Sequence, residues 1–134
     1  MTFIVIWTTS QLGGITVTIL EIQELLNAKI LACEDKKDME IKTAFASDMM
    51  SDALAFGKDS SVLVTGLCNP QVMRTAELLD IECIIFIKGK EPTDSMISLA
   101  KNNGICVLLS EYCMFETAGK LYNAGLVGGA TSGC

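Results

Sequence analysis

The chain of 134 residues contains no histidine. Histidine is the side chain whose ordinary pKa lies closest to neutral pH, so its absence removes the usual general base and every Ser–His or Cys–His pair. The GxxxxGK[ST] spacing of a P-loop is also missing, as is the GxGxxG of dinucleotide enzymes. These absences lead us to expect neither a catalytic centre nor a cofactor.

Cysteine pairing motifs are missing as well, although six cysteines are present. None of them forms a CxxC pair, which together with the lack of histidine excludes thioredoxin-like and zinc-finger patterns. Cys83 and Cys106 stand in apolar runs, Cys33 ends such a run, Cys113 falls in a predicted helix and Cys134 is the last residue. Reduced cysteines in the core of a cytoplasmic protein are the favoured interpretation. An iron–sulfur or other metal site is the alternative.

Positive charge and long apolar runs are both scarce. The ten Lys and Arg residues are outnumbered by sixteen Asp and Glu, which gives a formal charge of -6 and a pI near 4.5. Nucleic acids and anionic membrane surfaces require clustered basic residues, so neither is an expected partner.

The apolar run near the amino terminus, Phe3 to Trp7, is far shorter than the roughly 20 residues of a membrane helix or the 7 to 15 of a signal-peptide core.

Apolar residues, in contrast, make up half of the chain. A chain of this length and composition can bury a core without metal or disulfide support, so we expect one domain. We assign residues 17–126 to that domain. Residues 1–16, which end near the breaker Gly13-Gly14, are predicted to be an added strand or loose arm, and residues 127–134 a flexible tail.

The stretch from Ser61 to Lys90 is the most informative part of the sequence. SVLVTG is a short run rich in β-branched residues, PQVMRTAELLD has the spacing of an amphipathic helix, and CIIFIKGK is a second apolar strand. A helical crossover between two wholly apolar strands is typical of a parallel sheet. The predicted fold class is therefore α/β: a single three-layer domain with a mostly parallel central sheet flanked by helices.

The flanking segments repeat this alternation. Before the central stretch we predict a helix that a Thr18–Glu21 capping box opens and that ends at Asn27, then the strands Lys29–Cys33 and Ile41–Ala46. A helix capped by Ser47 or Asp48 follows and ends at Phe56. After the central stretch we predict a helix from the EPTD segment to Asn102 that stops at Gly104, a strand Ile105–Ser110 and a helix Glu111–Ala124.

Ligands of open parallel sheets bind outside the carboxyl ends of the strands. The loops after the predicted strands combine helix caps, glycines and two lysines, which together suit a small anion or a nucleotide. The alternative is that these residues only start helices, form tight turns and carry solvated lysines. The candidate ligand-binding residues are Gly66, Leu67, Cys68, Asn69, Lys88, Gly89, Lys90 and Thr93.

Other polar and apolar groups have simpler interpretations. Asp48 and Asp52 share a predicted helix face, where a solvated pair near the helix start is favoured over a cation site. Met49-Met50 and Met114-Phe115 are interpreted as core or dimer contacts. Glu111 and Glu116 stabilise the start of the last helix through its dipole.

From about Val17 to Leu126 the chain contains, in order, LLNAKILAC, SDMMSDALAF, VLVTGLCNPQVMRTAELLDIECIIFIKGK and YCMFETAGKLYNAGL. In the order and wording of these segments the chain resembles a stand-alone DRTGG domain. In the families that carry it, this domain accompanies CBS domains or the regulatory part of some phosphate acetyltransferases. It is also similar in fold to the amino-terminal domain of HPr kinase/phosphorylase. The resemblance implies a regulatory role without kinase activity, since the P-loop of that enzyme lies outside the similar segment.

The two turns that give the family its name are altered here. The GDRT-like turn reads Gly66-Leu67-Cys68-Asn69, and the TGG-like turn reads Ile87-Lys88-Gly89-Lys90. Only Gly66 and Gly89 carry over, and the acidic and basic pair of the first turn is missing. Stand-alone members are similar to proteins encoded near iron-only hydrogenase and redox genes, which implies a redox-linked partner by association.

Two functions remain open at this point. The first is a non-catalytic regulatory module that senses a small anion or nucleotide at the carboxyl ends of the strands and shifts between two states. The second is a protein interaction or assembly module without a small ligand, docking through the Met49–Phe56 helix, the last helix or the amino-terminal arm. A homodimer in the cytoplasm is the expected assembly, and an enzyme is the least supported class.

Overall fold

A computed structural model describes residues 16–129 of the chain. Its centre is a five-stranded sheet with the strand order β2-β7-β6-β5-β4, accompanied by a two-stranded ribbon of β1 and β3. The strands are β1 (Val17–Thr18), β2 (Lys29–Ala32), β3 (Glu40–Ile41), β4 (Ala44–Ala46), β5 (Val62–Thr65), β6 (Cys83–Phe86) and β7 (Cys106–Leu109). The helices are α1 (Ile19–Leu26), α2 (Met50–Phe56), α3 (Pro70–Leu78), α4 (Asp94–Asn103) and α5 (Met114–Asn123), with a 3-10 turn at Glu34–Lys36.

Strands β4, β5, β6 and β7 run parallel, as the wholly apolar runs predict. Val62, Cys83 and Cys106 lie side by side at the start of the three inner strands. Every residue of β5 and β6 is buried, because helices cover both faces of the sheet. The predicted α/β fold class is confirmed.

Strand β2 is the antiparallel member of the sheet. It forms one edge by pairing with β7, with Lys29 opposite Leu109, and the register shifts between Ile30 and Ala32. The amino-terminal end of β2 therefore lies beside the carboxyl end of β7.

The prediction of one strand from Ile41 to Ala46 is wrong, because the chain turns at Lys42 and Thr43 and forms two strands. Before the turn, β3 pairs antiparallel with β1. After it, β4 joins the edge of the main sheet next to β5. At the turn itself the Thr43 hydroxyl donates to the carbonyl of Asp59 at 3.0 Å, a long-range contact that alternation of apolar residues does not reveal.

Helix starts were predicted well where a side chain caps the helix locally. Thr18 and Glu21 form the predicted capping box of α1. Asn69 caps α3 by accepting from the N–H of Gln71, and Thr93 caps α4 by accepting from the N–H of Met96. Helix α5 begins at Met114, later than the predicted Glu111, because the segment after β7 first forms a hydrogen-bonded loop.

The predicted cap of α2 is wrong. Its first residue is preceded by Met49, whose side chain makes no capping hydrogen bond. The Ser47 hydroxyl instead accepts from the N–H of Met49 at 3.0 Å. The Asp48 carboxylate turns toward the loop after β5, as described below, so a long-range contact replaces the local one.

The helices divide between the two faces of the sheet. Buried residues of α2, α3 and α4 pack on one face, which includes Leu63, Ile84 and Phe86. Buried residues of α1 and α5 pack on the other, which includes Val64 and Ile85. The helices that follow β4, β5 and β6 thus cover one face, whereas the helix that follows β7 covers the opposite face.

The predicted amino-terminal arm is residues 1–16, of which residues 1–15 lie outside the described part of the chain. At the other end, the N–H of Val127 donates to the carbonyl of Lys42, and its carbonyl accepts from Ala44. The domain limits 17–126 and the tail 127–134 stay predictions. None of the helices within residues 16–129 has the length and apolar character needed to span a membrane.

Candidate functional site

Three loops meet at the carboxyl end of the sheet, after β5, β6 and β7. The loops after β6 and β7 are joined by a hydrogen bond from the N–H of Lys88 to the carbonyl of Tyr112, 2.9 Å long. The loops after β5 and β6 also adjoin, because the N–H of Ile87 donates to the carbonyl of Thr65 at 3.3 Å. The eight candidate residues of the sequence therefore share one edge of the sheet.

An internal carboxylate already occupies the loop after β5. Asp48 Oδ1 accepts from the N–H of Gly66 at 2.6 Å and from the Thr65 hydroxyl at 3.3 Å. Thr65 Oγ1 in turn accepts from the N–H of Leu67 at 3.1 Å. Hydrogen bonds from an N–H to a carboxylate are among the stronger ones. An anionic ligand would have to displace Asp48 to reach the Gly66 N–H, so this loop is the less open part of the edge.

The two glycines shared with the family turns have physical reasons to be glycine. A Cβ on Gly66 would lie 2.9 Å from Ile87 Cδ1, inside van der Waals contact. Gly89 has a φ of 81° in open space, a conformation that L-residues rarely adopt. The first glycine lets the two loops approach, and the second reverses the chain between Lys88 and Lys90.

Cys68 lies half-buried beside these loops. Burial raises the pKa of its thiol, an effect that the positive charge of Lys90 partly offsets. The cysteine therefore stays a neutral thiol near neutral pH.

The cysteines of the described chain do not point to a metal. Cys33, Cys68, Cys83, Cys106 and Cys113 are all free thiols. The hydrogen bond with Cys106, together with burial, raises the pKa of Cys83 well above its ordinary value. Within residues 16–129 no group of three Cys, Asp or Glu side chains is arranged to hold a metal ion.

The loop after β6 carries the exposed positive charge of the site. Lys88, Gly89 and Lys90 are exposed, and the N–H of Lys90 donates to the carbonyl of Ile87, which closes the turn. Helix α4 follows at Asp94 and is capped by Thr93, whose hydroxyl accepts from the N–H of Met96 at 3.3 Å. The positive end of the α4 dipole thus lies in the same loop as the two lysines.

A buried hydroxyl network shapes the loop after β7. Thr117 Oγ1 donates to the carbonyl of Tyr112 at 3.1 Å, and Ser110 Oγ lies 2.9 Å from Thr117 Oγ1. Ser110 Oγ also accepts from the N–H of Tyr112 at 3.0 Å. Because the Thr117 hydrogen is used on Tyr112, Ser110 is the donor to Thr117.

The same loop adds an aromatic ring that is not among the candidate ligand-binding residues. Lys120 Nζ stands 4.6 Å from the centre of the Tyr112 ring, a distance that favours a cation–π contact. Thr117 and Lys120 were missed because helix spacing alone does not reveal that they meet the loop of Lys88. Ser110 and Tyr112, in the loop directly after an apolar strand, were the available signal.

Beyond the Lys88–Tyr112 hydrogen bond that joins the loops after β6 and β7, the two helices that follow diverge. Helix α4 leaves toward one face of the sheet and helix α5 toward the other, although their strands are neighbours. The carboxyl end of a parallel sheet is where ligands of such sheets bind, and we refer to the region between these two loops as the crevice. Lys88, Gly89, Lys90 and Thr93 lie on the loop after β6, on one side of this region, and Gly66 to Asn69 lie on the neighbouring loop after β5.

Comparisons with known proteins agree with this architecture. The chain resembles the crystal structure of the CBS and DRTGG domains of the regulatory region of Clostridium perfringens pyrophosphatase, complexed with its activator diadenosine tetraphosphate, with a TM-score of 0.63 and 20% identity. The match covers 77% of this chain and 45% of that one, so the chain spans less than half of its structural relative. No curated protein matches the sequence. The DRTGG domain family matches residues 21–124, and the chain therefore belongs to the DRTGG domain family.

Proposed function

We propose that the protein is a non-catalytic regulatory module that binds a small anionic ligand, such as a nucleotide, at the crevice between the loops after β6 and β7. The observation that carries the proposal is the divergence of α4 and α5 from neighbouring parallel strands. The exposed Lys88 and Lys90 lie on one side of that crevice, and Lys120 lies over Tyr112 on the other.

Individual groups of the crevice, rather than its net charge, support an anion. The protein carries a formal charge of -6, and the loops after β6 and β7 also carry Glu91 and Glu111, with Asp94 at the start of α4. Three lysines and the start of α4 adjoin this one edge. Lysine ammonium groups and free helix N–H groups both suit phosphate oxygens. The Tyr112 ring offers an apolar surface next to them, which a nucleobase or another flat group would cover.

Nucleotides are the first ligands to test. The structural relative is complexed with diadenosine tetraphosphate as its activator, and its fold is shared by this chain. Mononucleotides, dinucleoside polyphosphates, acyl phosphates and inorganic anions form a sufficient screen, because they separate recognition of phosphate from recognition of the base.

A thermal-shift assay on the reduced full chain tests the proposal. A ligand present at a hundredfold excess over its dissociation constant should stabilise the fold by about 2.7 kcal/mol. Changing Lys88→Glu together with Lys90→Glu should remove this stabilisation, because two attractive charges become repulsive at the phosphate.

The matched control is Lys37→Glu with Lys42→Glu, which changes the net charge equally in exposed residues of the segment before β4. This variant should keep the ligand-induced shift. If both variants lose the ligand-induced thermal shift equally, the net charge of the protein and not the crevice causes the effect. A screen in which no ligand produces a specific shift would overturn the ligand-binding proposal.

An exposed aromatic face on α5 supports a second candidate, a homodimeric assembly module. The Phe115 side chain is 88% exposed and that of Tyr122 is 75% exposed. Together with Gly119 they line a depression on the outer side of the helix. Large exposed aromatic side chains on one helix face favour a protein contact.

Light scattering of the purified chain tests this assembly. We expect the mass of a dimer, and we expect Phe115→Ser to return it to a monomer with an unchanged circular dichroism spectrum. Leu99→Ser, an exposed apolar change on α4, is the control and should leave the dimer intact. A monomer at all concentrations would exclude the homodimer.

A further inference from the structure

A second groove lies at the opposite, amino-terminal end of the sheet, between the ends of α2 and α3. It has a volume of about 500 Å³. Two loops form its walls, one from α2 to β5 and one from α3 to β6. The loops are joined by hydrogen bonds from the N–H groups of Glu82 and Cys83 to the carbonyl of Ser61, at 2.9 and 3.2 Å. None of its lining residues belongs to the crevice with the lysines.

The groove combines acidic and apolar side chains. Asp59, Asp80 and Glu82 contribute three negative charges against the single positive charge of Lys58. Helices α2 and α3 both end here, so the negative ends of their dipoles add to the field. Leu54 and Leu78 flank the opening and are 45% and 73% exposed. A complementary partner would carry positive charge beside apolar side chains.

The backbone holds both aspartates in an unusual conformation. Asp59 has a φ of 67° and Asp80 a φ of 54°, in the left-handed region. Glycine enters this region freely, and asparagine and aspartate enter it more readily than other residues. Neither position needs a carboxylate to form its turn.

A buried hydroxyl in the same loop lacks a partner within the described chain. Ser60 is 3% exposed, and its Oγ makes no hydrogen bond with any group of residues 16–129. Burying a hydroxyl without a partner is unfavourable, so a bound group that donates to this oxygen would gain a hydrogen bond. The N–H groups of arginine or lysine are such donors.

We propose that this groove binds a basic, amphipathic segment of a partner protein. Arginine or lysine side chains of the partner contact Asp59, Asp80 and Glu82, and its apolar side chains pack between Leu54 and Leu78. The ligand crevice and this groove stand at opposite ends of the same strands, and the groove proposal does not depend on the ligand.

Fluorescence anisotropy with the full chain tests the groove. The probe is a labelled peptide of leucine and arginine, and the comparison is the same peptide with glutamate in place of arginine. The chain should bind the basic peptide and not the acidic one. Asp59→Asn with Asp80→Asn should weaken binding by about tenfold, because two attractive charges are lost at the contact. Asparagine tolerates the left-handed conformation, so the fold should persist.

The matched control is Asp35→Asn with Asp38→Asn, which removes two exposed carboxylates elsewhere and should leave the affinity unchanged. Leu78→Ser should weaken binding, whereas Leu99→Ser on α4 should not. Equal weakening by the two aspartate pairs would overturn the proposal, as would a chain that fails to prefer the basic peptide. If the Asp59 and Asp80 changes alter the mass of the protein without peptide, the groove holds a second copy of the chain and the proposal is wrong.

Discussion

Replacing Phe86 by alanine should destabilise the protein by about 3 to 5 kcal/mol, the usual cost of removing a buried phenylalanine side chain. Phe86 is fully buried in the core beneath α2, α3 and α4. It ends the central strand β6, so the cavity would open between the sheet and three helices that cannot all close around it. For a chain of this size the thermal midpoint should fall by roughly 10 to 20 °C.

Phe115→Ala is the matched control, because it makes the same chemical change at a side chain that is 88% exposed. Measured at a concentration where the chain is monomeric, it should change the free energy of unfolding by less than about 0.5 kcal/mol. Urea unfolding followed by circular dichroism measures both variants. A loss below about 1 kcal/mol for Phe86→Ala would contradict the packing of β6.

Replacing Thr117 by valine should cost about 2 kcal/mol although the two side chains have nearly the same shape. The change leaves the Ser110 hydroxyl hydrogen without its acceptor in a buried site, which costs about 1 to 3 kcal/mol, and it removes one of the two donors to the Tyr112 carbonyl, which keeps the Lys88 N–H. The additional methyl group offsets a part of this cost. Because the network sets the Tyr112 carbonyl that receives the Lys88 N–H, ligand binding at the crevice should weaken as well.

A double-mutant cycle separates the network from packing. The double variant Ser110→Ala with Thr117→Val should lose less unfolding free energy than the two single variants lose together, because neither hydroxyl is then left without the partner that the other provides. Urea unfolding provides all four free energies. Strict additivity would show that Ser110 and Thr117 do not interact in solution.

The sequence predicts the parallel part of the fold because the signals there are local. Strands β5, β6 and β7 are short apolar runs, and Asn69, Thr93 and Thr18 cap their helices through neighbours within three residues. Where a distant residue takes part, prediction failed. Asp48 was expected to cap α2 but binds the Gly66 N–H, and the turn at Thr43 depends on the carbonyl of Asp59.

The candidate site was predicted in its parts but not in its arrangement. The lysines and glycines of the loops could be found because they follow apolar strands. The crevice could not, because α4 and α5 are both amphipathic and nothing in their spacing tells which face of the sheet each will cover. Ser110 and Thr117 lie seven residues apart, and only the structure shows that they meet.

The pairing of β2 with β7 bears on how the chain folds. Lys29 lies opposite Leu109, so this pair joins segments separated by most of the domain, whereas β4, β5 and β6 each pair with the next strand along the chain. Contacts between distant segments form slowly, because a long loop must close before they contribute. During synthesis on the ribosome, β2 emerges early but must wait for β7. Until then β2 has no strand to pair with, and it is the segment most exposed to pairing with another unfinished chain.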